Sequence, residues 1–322
     1  MVFPIGLVKR SCIRSSLILK GLNNSIWSIK VFNSNTLIFE PPEEGCLNNP
    51  TIQAKDVSDV KAEFVADPFL VTDNSKYYIF YEILDKKSGR GVIGLSTSDN
   101  GIDWNYEKVV LSEKFHLSYP QVLKGNNNDF YMIPETSEAN EVILYKAINF
   151  PYEWKREVSI INGKYIDPTV FQFNDKWWMF AGSHGGKDLH LFYSESLEGS
   201  WIEHPSSPII NNNMHISRPG GRVIVDEQSN IFRYTQDGYP YYGKLTRIFK
   251  IKTLTINEYQ EEEVKIVLQG TDKEADWRKD GMHHIDQLKV NGDQWIIAVD
   301  GHKFEKRNYF SWKLERLLLK IF

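Results

Sequence analysis

IDPTVFQFNDKWWMFAGS, residues 166–183, is a strand that starts at an Asp-Pro corner, turns at Asn174-Asp175 and returns through an aromatic run. Polar turn residues between two apolar, β-prone runs specify a hairpin. The same shape recurs at Ala66-Asp67-Pro68-Phe69 with a return over Tyr77 to Glu82, and at Tyr119-Pro120-Gln121-Val122 with a return over Phe130 to Glu135. It comes again at Arg218-Pro219-Gly220-Gly221 with Ile231 to Gln236, and more loosely at Asp286-Gln287-Leu288 with Trp295 to Asp300. The corner prolines at 68, 120, 168 and 219 are spaced by 52, 48 and 51 residues. A period of that size marks a stacked or radial repeat.

Each repeat supplies four strand-like segments, with Trp104, Trp154 and Trp201 ahead of the outer one and Tyr259 at that place in the fourth. A tryptophan at a repeated position is expected to pack rather than bind. Four antiparallel strands in each of five units predict an all-β, five-bladed β-propeller, in which closure of the ring hides the sheet edges. The fifth unit lacks an outer strand unless the segment around Trp27 supplies it by pairing the two ends of the chain. The expected division is an N-terminal segment over 1–60 that closes the last blade, the propeller over 61–304, and a short C-terminal helix within 305–322, where Ser311 to Phe322 has helical spacing.

Composition agrees with this and excludes other classes. The chain has 322 residues, 13% of them aromatic, and a formal charge of -4 with no basic stripe, so no nucleic-acid partner is expected. No run approaches the roughly 20 apolar residues of a membrane span. Cys12 and Cys46 are too few for a disulfide scaffold or a thiolate metal site. The apolar run before Lys9 and Arg10 reverses the order of a signal peptide, so a cytoplasmic location is expected.

In a propeller the first strand of each blade lines the channel and the second runs back beside it. The start of one and the end of the other therefore open at the same mouth. This gathers Asp67, Tyr119, Asp167, Arg218, His284 and Asp286 with Glu82, Glu135, His184 and Asp300. Carboxyls crowded in a cleft have pKa values pushed apart, as acid-base chemistry on a glycosidic bond requires. Asp67, Glu135 and Asp167 are the expected catalytic residues, whereas Glu82 is expected on the rim. Proline fixes its own φ and restricts the residue before it, which holds such a carboxylate rigidly.

The Asp-Pro corners, the turn Ser96 to Trp104 and Gly281-Met282-His283-His284 resemble the five-bladed propellers of family 43 and family 32 glycoside hydrolases. Tyr131 to Thr136, His116-Leu117-Ser118-Tyr119-Pro120, Ser217 to Gly221 and His283-His284-Ile285-Asp286 resemble more closely the N-terminal domain of the glucosamine inositolphosphorylceramide transferases, over about Trp27 to His302. The family 43 resemblance implies Asp67 as general base and Asp167 as the carboxylate that orients and tunes the acid. It places the general acid, a Glu, where this chain has Arg218. Either Glu135 serves as acid from another blade, or the site binds sugar without cleaving it.

An arginine there suits a carboxylate or phosphate, so Arg218 and Arg222 point to an anionic glycan or sugar phosphate, with a structural ion pair as the alternative for Arg222. Tyr119, His184, His283, His284 and Asp286 complete the expected substrate contacts. The two histidines match a position that in some family members lies beside calcium. With Asp286 the one carboxylate local to them, no cofactor is the expectation and calcium near the axis the alternative. The function expected is a carbohydrate-active enzyme of surface-polysaccharide or glycoconjugate assembly; the rival is a non-catalytic propeller that binds glycan or docks beside a glycosyltransferase or sugar-modifying enzyme.

Overall fold

The computed structural model describes residues 22–37, 40–125, 128–307, 315, 318 and 319. After an N-terminal strand β1 (Leu22–Ser34), the first blade holds β2 (Ala62–Asp73), β3 (Lys76–Asp85), β4 (Arg90–Ser98) and β5 (Asn105–Leu111). The second holds β6 (Ser118–Lys124), β7 (Phe130–Glu135), β8 (Glu141–Asn149) and β9 (Glu153–Asn162). In the third are β10 (Tyr165–Phe173), β11 (Lys176–Ser183), β12 (Leu189–Ser194) and β13 (Ile202–Glu203). The fourth has a broken inner strand, β14 (Arg218–Pro219) and β15 (Ile224–Val225), then β16 (Ile231–Gln236), β17 (Leu245–Leu254) and β18 (Tyr259–Gln269). The fifth contains β19 (Ile285–Asn291) and β20 (Gln294–Arg307). All strand pairs within the five sheets are antiparallel.

Ring closure is done by the start of the chain. β1 pairs with β20 from Leu22↔Arg307 to Ser34↔Trp295. The sheet order is β1-β20-β19, so β1 is the third strand of the fifth blade. A single bridge between Ile29 and Ile52 stands where a fourth strand would be. β20 runs to Arg307, past the boundary expected at 304. The helix expected over the tail lies outside the described residues, apart from Glu315, Leu318 and Leu319. Among the described residues no helix is long and apolar enough to cross a membrane.

Among the described residues the core divides into five apolar clusters, each shared by neighbouring blades. Phe80 and Leu95 of the first blade meet Val122 and Met132 of the second, and Ile133 and Leu144 meet Met179 and Phe192. Around the ring Phe180 packs with Ile231 and Ile251, Ile248 with Ile297, and Ile29 with Ile79. Strands buried on both faces read as continuous apolar runs. The three repeated tryptophans and Tyr259 pack against these clusters, as expected.

The hairpin turns at Asn74-Ser75 and Asn174-Asp175 have positive φ at both central residues, matching the right-handed twist of their strands. The proline corners are rigid, but they are not extended. Asp67, Tyr119 and Asp167 have φ of 53°, 48° and 51°. In each blade the ladder skips at this point, between Ala66 and Phe69, Ser118 and Gln121, and Ile166 and Thr169. Two residues face one across each skip, which is a bulge that re-aims a side chain. A left-handed non-glycine costs about 1–2 kcal/mol, and such strain persists where surrounding structure enforces it. At its corner the fourth blade stays in register, Arg218↔Gln236 and Pro219↔Thr235, and its extra residues fall later, before Ile224↔Phe232.

Candidate active site at the channel mouth

The bulges bring three carboxyl-bearing blades to one opening. Glu82 pairs with Ala66, beside Asp67, and Glu135 pairs with Ser118, beside Tyr119. The same place in the fourth blade holds Gln236, opposite Arg218. Asp67, Glu82, Asp167 and Asp300 are buried.

Two of these carboxylates are held as ion pairs. Arg218 puts Nε 2.7 Å and Nη2 2.6 Å from Asp167 Oδ2, and Gln236 Nε2 donates to the same oxygen at 3.0 Å. The Arg218 guanidinium also lies 4.8 Å from the centre of the Tyr242 ring. Although burial works against its charge, Asp167, Tyr242 and Glu135 hold the guanidinium well above its usual pKa. Asp300 accepts bonds from the backbone N–H groups of Asp67, His283 and His284 and from His283 Nδ1 at 2.7 Å. Its pKa stays below the ordinary carboxylate value despite burial, because His283 stands beside it, and the same partnership raises His283 against its own burial.

The remaining carboxyls take up protons. Burial, opposed by His283 and reinforced by Asp300 and Asp167, lifts Asp67 to about 7. Burial, with the neighbouring acids, pushes Glu82 and Glu135 well above the usual range, and Glu135 shares a hydrogen bond with Asp167. Asp67 Oδ2 receives the Tyr119 N–H at 3.3 Å, while Oδ1 is buried without a hydrogen bond, 3.6 Å from His283 Nε2 and 3.8 Å from His284 Nδ1. His284 bonds the Pro68 carbonyl through Nε2 at 3.0 Å, and burial lowers its pKa to about 4. Its Nδ1 is therefore an acceptor facing Asp67, and the two acceptors suit a shared hydroxyl donor. A group titrating near neutrality with one oxygen fixed and one open can take a proton from such a hydroxyl.

Not every expected residue faces the opening. Tyr119 is fully buried and ties blades together, with its hydroxyl 2.8 Å from Thr169 Oγ1 and accepting the Gly221 N–H at 2.8 Å. Its backbone N–H also reaches Asp67 Oδ2. Arg222 and Asp286 lie further along the strands: Arg222 Nε and Nη2 stand 2.8 and 3.2 Å from Asp286, Nη2 also reaches the Leu70 carbonyl at 3.1 Å, and Asp286 accepts the Leu70 N–H at 2.7 Å. Each is bonded to protein groups, which is the ion pair given as the alternative for Arg222. Arg218 is likewise paired with Asp167, and it also lines the cavity over the mouth.

His184 does line a cavity of about 430 Å³ over the mouth, with His116, Glu135, Lys164 and Arg218. His116 accepts the Gly91 N–H at Nδ1, so Nε2 carries its hydrogen toward Glu82 Oε1 at 3.4 Å. Glu82 is thus in the cluster, not on the rim. Sequence reasoning missed His116 and Tyr242, whose hydroxyl is 2.8 Å from His283 Nε2. A signal for the first was present: His116-Leu117-Ser118-Tyr119-Pro120 and His215-Ile216-Ser217-Arg218-Pro219 repeat one pattern before two inner strands.

Asp67, His283 and Asp300 can bring one ligand atom each within 4.8 Å of one another. They do not fit calcium, which takes 6–8 oxygens. Both oxygens of Asp300 accept N–H bonds and both nitrogens of His283 are engaged, leaving Asp67 Oδ1.

Residues 23–302 match the family profile described as glucosamine inositolphosphorylceramide transferase 1, N-terminal. The chain belongs to this family. It is 35% identical over 251 residues to glucosamine inositolphosphorylceramide transferase 1 of Oryza sativa subsp. japonica, a match covering 75% of this chain and 34% of the relative. The Arabidopsis thaliana protein of the same name is 32% identical over 332 residues, covering 96% of this chain and 43% of that one. The chain thus spans about a third to two fifths of the length of these relatives. Among solved structures it resembles a thermostable family-43 glycoside hydrolase, with a TM-score of 0.52 at 16% identity over 63% of this chain and 76% of the other. That likeness is one of fold.

Proposed function

We propose that the mouth is the centre of a carbohydrate-active protein that cleaves or transfers a glycosidic linkage, with Glu135 as proton donor to the leaving oxygen and Asp67 as base toward water or an acceptor hydroxyl. The observation that carries this is the division of labour among the crowded acids. Asp167 and Asp300 are paired with cations, whereas burial lifts Asp67 to about 7 and holds Glu135 well above the usual carboxylate range, as a base and a proton donor require. Asp167 then orients Glu135, with which it shares a hydrogen bond. For an anionic glycan or sugar phosphate, Lys164 on the cavity wall supplies the positive charge that Arg218 gives to Asp167, with His184 beside it as a hydrogen-bonding group. The setting in this proposal is cytoplasmic glycoconjugate or surface-polysaccharide assembly beside a glycosyltransferase, in keeping with the longer relatives that are named transferases.

A second function is favoured by the Arg218–Asp167 pair itself. It stands where the family 43 resemblance places the acid, and a site so neutralised suits a propeller that holds a glycan for a partner enzyme. A panel of glycosides and activated sugars separates the two. Loss of turnover in Asp67→Asn and Glu135→Gln with binding retained supports the enzyme. No turnover by the parent chain on any panel member, with the variants altering binding alone, overturns it in favour of the holder.

A further inference from the structure

Strand polarity dictates what surrounds the mouth. Residues just before β14 and just after β16 must leave the fourth blade on the same face as Asp67 and Asp167. These are the segments 213–217 and 237–243, and they are pinned together. The Gly238 N–H donates to the Met214 carbonyl at 2.9 Å, and His215 Nδ1 lies 3.0 Å from both oxygens of Asp237. Asp237 is buried and also accepts from Arg247 Nη2 at 3.1 Å and from the Tyr239 N–H at 2.9 Å. A carboxylate so anchored fixes Nδ1 of His215 as the donor and leaves Nε2 as an acceptor on a side chain that is 49% exposed.

The second segment carries Tyr239, Tyr241 and Tyr242, the large aromatics exposed among the described residues, and Tyr239 is the most open at 57%. Tyr242 is committed to His283 and Arg218, and Tyr241 packs edge-on to Phe304. Tyr239 packs edge-on to His215, with ring centres 5.4 Å apart. An open aromatic face beside an oriented hydrogen-bond acceptor is the equipment for a sugar ring, whose C–H face stacks while a hydroxyl donates. The chain leads from this pair directly to the mouth, since Arg218 follows His215 by three residues and Tyr242 follows Tyr239 by three.

We infer that Tyr239 and His215 form a second carbohydrate subsite, which takes the sugar residue next to the one held at Asp67. This inference rests on the mouth being a carbohydrate site. The test screens the full chain on an array of immobilised oligosaccharides and measures each hit by calorimetry beside the methyl monoglycoside of its terminal sugar. In Tyr239→Ala, and in His215→Ala, the ratio of oligosaccharide to monoglycoside affinity falls about tenfold, while Tyr239→Phe keeps the parent ratio. A ratio unchanged in both alanine variants, with the parent chain still binding the monoglycoside, overturns the subsite and leaves the mouth standing. A parent chain that holds no glycan on the array overturns both.

Discussion

Arg218 grips a single oxygen of Asp167 with two of its nitrogens, at 2.7 and 2.6 Å, and so spends on a neighbouring blade the charge that its place in the sequence offers to a ligand. The contact crosses from the fourth blade to the third. It lets two acids that share a hydrogen bond, Asp167 and Glu135, coexist in a buried site.

Removing that guanidinium should therefore be costly. Arg218→Met is expected to lose about 3–5 kcal/mol near neutral pH, as when one member of a buried ion pair is deleted. Urea denaturation measures it. A loss below about 1 kcal/mol would mean that the pair is solvated and the carboxyl crowding relaxed.

Asp67 gives a stability signature in pH. Its folded pKa, about 7, lies above the 3.8 of an ordinary aspartate. The folded chain thus binds a proton that the unfolded chain has released between those values. This contribution is complete below about pH 4 and disappears as pH rises through about 7. Asp67→Asn removes the titration, so its stability relative to the parent should climb from about pH 5 to about pH 8. Melting curves in matched buffers check this, and an offset constant with pH contradicts it.

Arg222 and Asp286 should behave as a structural pair. Arg222→Met alone strands a fully buried carboxylate and is expected to cost about 3–5 kcal/mol. Adding Asp286→Asn, which keeps an acceptor for the Leu70 N–H, should recover most of it. The double-mutant cycle reads the coupling, and additive losses would show the two to be independent.

Gly221 sits at φ 134°, and an added Cβ would fall 1.8 Å from the Ile285 carbonyl oxygen, where the fourth and fifth blades bridge. Gly221→Ala is expected to unfold more readily by at least about 3 kcal/mol. Gly45, with nothing within 4 Å of such an atom, is the control, and its alanine variant should stay within about 0.5 kcal/mol of the parent. Equal chemical-denaturation midpoints for the two variants would contradict this account of the blade junction.

Much of the fold was legible because it rests on local chemistry repeated. The corner prolines, Asn-Asp and Asn-Ser turns and apolar runs each act within a hairpin, and five of them in series leave few alternatives to a ring. The mouth carboxyls followed from strand polarity alone. Glu82 was misplaced because burial depends on what stands opposite it, and His116, which does, comes from another blade.

The chain's order of residues therefore determined the blades, their number, and which end of each strand meets the channel, since these depend on periodicity and turn chemistry. Only the tertiary structure decided which charges are spent on protein and which are open. Arg218 closes on a residue 51 positions away and Arg222 on one 64 positions away. Coulomb energy and desolvation depend on distance in space, which ring closure sets and sequence spacing does not express.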